Sequence, residues 1–346
     1  MPYIMEEKVS IIIAVYNVAN YIVRCAETLF GQTYRDIEYI FIDDASTDGS
    51  IERMLEVLEK YPNRMDQVRV IRHSTNQGVA LTKTEGIKES KGSYVWIVDP
   101  DDFVELNAAE MMMDKAVSEN ADMVICDFYN YYEDGRIDRR SLVPNGIEGN
   151  GENVRDDIIN RIVNPFHVVK LVRRRIFDER DVVWPAGRFQ EDVVFSLISA
   201  YYSRRISHVD VPLYYYRYHP NSLTHKMSEN ACLMKFQESI INIDIMIDFL
   251  VSHGMSEKYW RGILIHKLRT KNRLLEIQRK WKYRVLWFKT YPEINKTLFC
   301  GDSRYKSSYK EKVWLFAILF GLYPIPRIKK LLNYKFLPFK QWRTFY

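Results

Sequence analysis

Short apolar runs alternate with longer amphipathic stretches along the first 130 residues. "VSIIIAV" (9–15), "IEYIFID" (37–43), "VRVIR" (68–72) and "YVWIVD" (94–99) are rich in β-branched and aromatic residues, as buried strands are. Between them, stretches at about 19–30, 49–60 and 78–90 space their apolar residues as helices do. This alternation predicts βαβ units around a mostly parallel sheet, with right-handed crossovers and both faces covered. Further on, residues 106–118 read as a helix, "ADMVICDFYNYY" (121–132) as a strand, and "EDGRIDRR" as a hairpin turn. "VPNGIEGNGEN" (143–153) reads as a loop, and a helix starts near Glu191. "HVDVPLYYYRYH" reads as an edge strand, because Pro212 cannot donate to a ladder. From about 228 the pattern is helical, with one amphipathic stretch closing at Gly254.

In open α/β sheets, ligands bind beyond the carboxyl ends of the strands. The polar clusters lie there: "YN" after the first strand, "DDASTDGS" after the second, "HSTNQG" after the third and "DPDD" after the fourth. A turn with a helix cap at Ser46, Thr47 or Asp48 explains part of the second cluster. It leaves Asp43 and Asp44 unexplained; a carboxylate there can accept from a ribose hydroxyl or a base N–H. In "DPDD", strand periodicity would put Asp99 and Asp101 on one side and Asp102 on the other. Burying such charges needs a partner. Hard cations, Mg²⁺ or Mn²⁺, take oxygen ligands and bridge carboxylates to phosphates. A capped turn is the plainer alternative.

The order of "VSIIIAVYNVANYI", "FIDDASTDGS", "NQGVALTKTEGIKESKGSYVWIVDPDDF" and "FQEDVVFSL" resembles the family 2 glycosyltransferases, over about residues 8–225. The resemblance implies an α/β GT-A fold, Rossmann-like, its mostly parallel central sheet flanked by helices. It implies an inverting, non-processive hexosyltransferase of the bacterial surface-glycan type, acting on polysaccharide or lipopolysaccharide. The donor would be a nucleotide-sugar, commonly a UDP-sugar, and the acceptor a glycan or lipid-linked saccharide. A divalent cation, Mn²⁺ or Mg²⁺, would be the cofactor. On the donor side it points to Ala14, Tyr16, Asn17, Asp43, Asp44, Asn76, Gly78, Lys83, Asp99, Asp101 and Arg217. At the metal it points to Asp101 and Asp102, joined by His219 from "YRYHPNS"; which of Asp99, Asp101 and Asp102 meets the ion stays open. Glu191 and Asp192 stand where the family carries its general base, with Asp192 the stronger candidate. A carboxylate in reach of an acceptor hydroxyl can take its proton as it attacks the anomeric carbon.

This sequence departs from the family in two places that matter. "Thr82-Lys83-Thr84" replaces Ala-Arg-Asn, keeping a charge but losing bidentate geometry. No Gln-x-x-Arg-Trp is present, as "QRKW" and "KQWR" miss the spacing, so addition of one sugar is expected. Two other classes share some features. A nucleotide-sugar nucleotidyltransferase would show a Gly-rich, basic triphosphate loop, which "AVYNVANY" lacks. A non-catalytic glycan- or membrane-binding scaffold would not need Asp101, Asp102 and Asp192 together.

Charge divides the chain. Residues 251–346 hold 22 Lys and Arg against 5 Asp and Glu, whereas the first 250 residues hold 28 against 40. A basic end on an acidic body suggests an anionic partner. "VWLFAILFGLY" (313–323) is followed by a cationic, Trp-bearing stretch, a composition that suits a membrane interface. A packed helical subdomain with a solvated basic face is the alternative. No nucleic-acid recognition motif is visible. The domains expected are a GT-A catalytic domain at 1–226, with nucleotide half 8–105 and acceptor half 106–226, and a basic helical region at 227–346. The latter is a possible surface for a second copy. The start lacks a secretory pattern, and no apolar run reaches the roughly 18 residues of a membrane span. A cytoplasmic enzyme, peripheral on the inner membrane face, is therefore expected. Cys25, Cys126, Cys232 and Cys300 form no zinc or CxxC spacing and read as buried thiols.

Overall fold

The computed structural model describes residues 7–141, 156, 159, 166–178, 191–218, 228–274 and 281–297, with backbone also to 300. The loop at 143–153, His219 and the basic stretch beyond 300 lie outside the described residues. The chain divides into two compact units, Met1–Ser222 and Leu223–Tyr346.

In the first unit, β1 (Val9–Val15), β2 (Ile37–Asp43), β3 (Val68–Arg72) and β4 (Tyr94–Ile97) run parallel in the order β3-β2-β1-β4. β1, β2 and β4 are almost wholly buried, as near-continuous apolar strands covered on both faces must be. Helices α1 (Ile22–Phe30), α2 (Ser50–Leu58) and α3 (Val79–Glu89) supply the crossovers. α1 buries Ile22, Cys25, Ala26, Leu29 and Phe30, a single helical stripe. Arg64 then caps its C-terminal end, donating to the carbonyls of Phe30 at 3.2 Å and Tyr34 at 2.9 Å.

Beyond β4 the sheet becomes mixed. β5 (Phe103–Val104), α4 (Ala108–Ser118), β6 (Met123–Tyr132) and β7 (Ile137–Arg140) follow in sequence. A short 3-10 turn at His167–Val169 leads into β8 (Lys170–Arg173), which lies antiparallel between β4 and β6. α5 (Glu191–Tyr202) precedes β9 (Ile206–Tyr218). The full order is β3-β2-β1-β4-β8-β6-β9-β5, with β7 on β6.

One expectation needs correction. β9 is not an edge strand: it pairs with β6 along one side and with β5 along the other at Tyr214 and Tyr215. Pro212 is tolerated because the register jumps there, from Cys126↔Val209 to Asp127↔Pro212. The bulge absorbs the missing donor. The sheet is mixed beyond β4, because β8 lies antiparallel against both β4 and β6. The lone Lys of β8 in an apolar run hid it as a strand.

The second unit consists, among the described residues, of α6 (Glu229–Ser252), α7 (Trp260–Arg273), α8 (Trp281–Lys289) and α9 (Pro292–Cys300). Ser228 caps α6 by accepting from the Ala231 N–H at 3.3 Å, and Gly254 follows its end at φ 65°. Phe236, Leu268, Leu274, Tyr283, Trp287 and Ile294 form its core. Fully buried Lys271 donates to the carbonyls of Trp287 at 2.7 Å and of Thr290, where α8 ends. Burial pushes that ammonium down to about 7.

Gly86 sets how closely α3 approaches the sheet. A Cβ there would lie 2.3 Å from Ile12 Cγ2 and 2.6 Å from Ile42 Cδ1. Overpacking costs about 1–3 kcal/mol, against roughly 1 kcal/mol of helix propensity gained. Gly86→Ala is therefore expected to lower the urea midpoint of unfolding; an unchanged or higher midpoint would show that α3 can shift outward.

Candidate functional site

The carboxyl ends of β1 and β2 are sewn together by short polar side chains. Asn17 sits at φ 51°, its Oδ1 accepting from the Thr47 N–H at 2.9 Å and its own N–H donating to Ser46 Oγ at 3.2 Å. Asp48 accepts from Ala19 N–H at 2.8 Å, and Ser50 Oγ from Val18 N–H at 2.8 Å. Asp43 is buried, with Oδ1 accepting from Ser46 N–H at 2.9 Å. Tyr16 stands 49% exposed beside this junction and Ala14 is half-buried, so the tyrosine ring presents a free face.

Asp44 faces elsewhere. Its oxygens accept from Gln77 N–H at 2.7 Å and Gly78 N–H at 2.8 Å, and Oδ1 lies 2.8 Å from His73 Nδ1. Asn76 Nδ2 reaches the Asp44 carbonyl at 3.4 Å. The other imidazole nitrogen of His73 is 2.6 Å from Glu85 Oε2 on α3. Both ring nitrogens thus face carboxylates, the arrangement of an imidazolium. Burial opposes the charge, but the hydrogen bonds to Asp44 and Glu85 raise His73 above its ordinary value. Asp44 is lowered: burial again opposes, and Gln77, His73 and Gly78 outweigh it.

The acid loop after β4 splits its carboxylates. Asp99 turns toward α3 and α5: its Oδ1 is 3.2 Å from Lys83 Nζ and 3.5 Å from His167 Nε2. Lys83 is buried, 3.6 Å from Glu191 Oε1 and 2.8 Å from His167 Nε2. Burial works against that ammonium, yet Asp99 and Glu191 raise it. Burial likewise opposes ionisation of Asp99, but Lys83 and His167 hold it well below the usual carboxylate range. Trp96 on β4 fixes the turn that carries His167 by donating to the Val168 carbonyl at 2.5 Å.

Asp102 turns the other way and is buried. It accepts from the Tyr214 hydroxyl at 2.6 Å and the Arg217 N–H at 2.7 Å. Burial, with Asp101 and Asp99 nearby, pushes it well above its usual value. The Arg217 guanidinium donates to the Asp101 carbonyl at 2.8 Å and lies over the Tyr21 ring at 5.3 Å. Asp101 is half-buried between these groups.

Asp192 opens α5 beside Glu191. Burial first, then Glu191, pushes it well above the usual carboxylate range, while Lys83 and Lys170 pull the other way. A carboxyl raised in this manner holds a proton more readily than an exposed one. Among the described residues no cluster of three or more His, Cys, Asp and Glu stands ready for a metal. Asp101 is a hard oxygen donor of the kind that shares Mg²⁺ or Mn²⁺ with phosphate oxygens and water. Asp102 is already engaged on both oxygens.

The structure thus joins Asp99, Lys83 and Glu191 at one place, gathers Asn17 with the segment after Asp43, and ties Asp44, Asn76 and Gly78 into a separate cluster. Sequence reasoning missed His73, His167, Lys170 and Tyr214. Lys170 was findable as the one charge in the apolar run "HVVKLV".

An α/β sheet that collects carboxylates at its strand ends and at the start of α5 is the GT-A arrangement. Solved structures share it: S. aureus TarS, residues 1–349, in complex with UDP-GlcNAc, aligns with TM-score 0.55 at 19% identity, covering 84% of this chain and 91% of that one. The mannosyltransferase PcManGT from Pyrobaculum calidifontis, in complex with GDP-Man and Mn²⁺, aligns with TM-score 0.52 at 14% identity, covering 96% and 89%. Residues 10–181 match the family described as Glycosyl transferase family 2. The uncharacterized glycosyltransferase EpsJ of Bacillus subtilis (strain 168) is 32% identical over 225 residues, 62% of this chain and 62% of that protein. Residues 10–181 form a glycosyltransferase family 2 domain.

The His73 cluster predicts a pH window for stability. A raised histidine stabilises fully below its unfolded value of 6.5 and loses that contribution as pH climbs through its folded value. Lowered Asp44 contributes above its unfolded value of 3.8 and loses it as pH falls through its folded value. In urea unfolding, the stability gap between wild type and His73→Asn is expected to be widest between about pH 4 and 6.5 and to narrow above. A gap that widens with rising pH would contradict the imidazolium.

Proposed function

We propose that this protein transfers one sugar from a nucleoside-diphosphate sugar, a UDP-sugar in the first instance, to a glycan or lipid-linked acceptor, with inversion. The observation that carries the reading is the Lys83 ammonium shared between Asp99 and Glu191. It brings the acid loop and the acidic start of α5 within ion-pair distance of one ammonium, which supports reading the two as donor side and base of one site.

In this reading Tyr16, Asn17 and Ala14 line the nucleotide side, and Asp43 accepts from the base. Asp44 acts indirectly, by fixing Asn76 and Gly78. Asp99, held ionised by Lys83, faces the sugar, and Lys83 acts through it. Asp101 would hold the cation, with Asp102 shaping the loop from behind; His219, the other candidate ligand, lies outside the described residues. A bound Mg²⁺ or Mn²⁺ would neutralise the departing diphosphate. Arg217, fastened to the Asp101 carbonyl, adds positive charge on the diphosphate side. Asp192 accepts the proton of the acceptor hydroxyl as its oxygen bonds to the anomeric carbon and the bond to the diphosphate breaks. One base opposite the leaving group makes this a direct displacement. The UDP-GlcNAc of the TarS complex and the GDP-Man and Mn²⁺ of the PcManGT complex support a nucleotide-sugar donor and a divalent ion.

Asp192→Asn is expected to reduce transfer by about 10²–10⁴-fold, while UDP with Mn²⁺ still raises the melting temperature as in wild type. Full transfer by Asp192→Asn would refute the base. No thermal response to any nucleotide-sugar, with or without Mn²⁺, would refute the donor class.

The basic C-terminal stretch is proposed to bring the enzyme to an anionic membrane where a lipid-linked acceptor resides. No helix among the described residues is long and apolar enough to cross a membrane. Deleting residues 310–346 is expected to shift the protein from membrane to supernatant fractions, and liposome binding by the full chain to weaken with salt. Unchanged partitioning would exclude this role.

A further inference from the structure

Lys170 opens β8 and is buried, which is rare for an ammonium unless it is paired. Its Nζ donates to Ser196 Oγ at 2.7 Å and to the Phe166 carbonyl at 3.2 Å. Ser196 lies on α5 four residues after Asp192. Residues at that spacing share a helix face, with Cβ atoms about 5–6 Å apart. The hydrogen bond to Ser196 therefore anchors a buried cation one helical turn from Asp192. The strand that delivers it is held from both sides: Leu171 pairs with Trp96 on β4, and Lys170 itself with Ile125 on β6.

We infer that Lys170 is a positioning residue for sugar transfer: pinned to Ser196 by the sheet, it keeps the Asp192 carboxylate ionised and oriented toward the acceptor hydroxyl. The inference rests on the reading of Asp192 as the base. The charged groups around Asp192 come from four elements: Glu191 on α5, Lys83 on α3, Asp99 after β4 and Lys170 on β8, with His167 beside Lys83. Lys83 acts on Asp192 as well, but it lies against Asp99 and Glu191. Burial pushes the Lys170 ammonium down to about 7, and Asp192 acts on it in the opposite direction. Each group thus favours the charged form of the other, against the burial that disfavours both.

The test uses the full-length protein labelled with ¹³C at the aspartate carboxyls, with Asp192→Asn to assign the resonance. In Lys170→Met, the Asp192 titration is expected to move to higher pH. The acid limb of the transfer rate should move with it, giving up to a roughly tenfold loss on that limb for each pH unit of displacement. That loss should recover toward alkaline pH, with the thermal response to UDP and Mn²⁺ unchanged. Lys170→Arg should retain most of the rate. Ser196→Ala, which frees the ammonium without removing it, should move the titration the same way by less, and serves if Lys170→Met does not fold. An Asp192 titration unmoved in the folded variants, or a rate loss equal at every pH, overturns the role of Lys170. Full transfer by Asp192→Asn overturns the base and the positioning role together, while the titration still reports whether the two groups interact.

Discussion

The cost of burying charge organises this structure. An ionised carboxylate taken out of water needs a cation or several donors, or it takes up a proton. The chain gathers acidic residues at strand ends and satisfies each differently. Asp99 has a buried ammonium, and Asp44 has backbone N–H groups and an imidazole. Asp102 has a tyrosine hydroxyl and one N–H, with two more carboxylates nearby. The outcomes follow from the partners: Asp99 and Asp44 lie below the usual carboxylate range, and Asp102 lies above it.

The partners must come from distant parts of the sequence, so the fold supplies them. Lys83 comes from a helix that Gly86 lets lie close on the sheet. His167 comes from a turn fastened to Trp96, and Tyr214 from a strand kept in the sheet by a bulge at Pro212. A site held in this way is preorganised, because its charges are oriented by groups that are themselves packed. Buried pairs of this kind are poor stabilisers of a fold. Their concentration at one end of the sheet is better understood as the cost of a poised site than as a source of stability.

Much of this was legible in the sequence, because period and punctuation act locally. The strands at 9–15, 37–43 and 68–72 coincide with the observed elements, since apolar runs bounded by turn residues have few other structures available. The acidic clusters were visible because several like charges after a buried strand call for a ligand or a cap. What stayed hidden was long-range. No local pattern says that Asp102 will meet Tyr214, 112 positions away, or that Lys83 will meet His167, 84 away. The Asp-x-Asp spacing suggested that Asp99 and Asp101 would share a face. The strand instead ends at Ile97 and the loop turns, so periodicity no longer governs where the carboxylates point.

The replacement of an expected Arg by Lys83 takes on a different meaning in this setting. A guanidinium is a wide fork suited to bidentate contact with a phosphate or carboxylate. An ammonium is compact, and here it is enclosed with carboxylates on two sides and an imidazole on a third. In that space a point charge shared among several acceptors serves better than a planar fork aligned with one. Lys83 thereby forms an electrostatic joint between the acid loop and the start of α5. Lys83 also acts on Asp192, and Lys170 adds a second cation against the burial of that carboxyl. Lys170 occupies that side of the helix, on a strand that the alternating pattern of the first half of the chain gave no reason to expect.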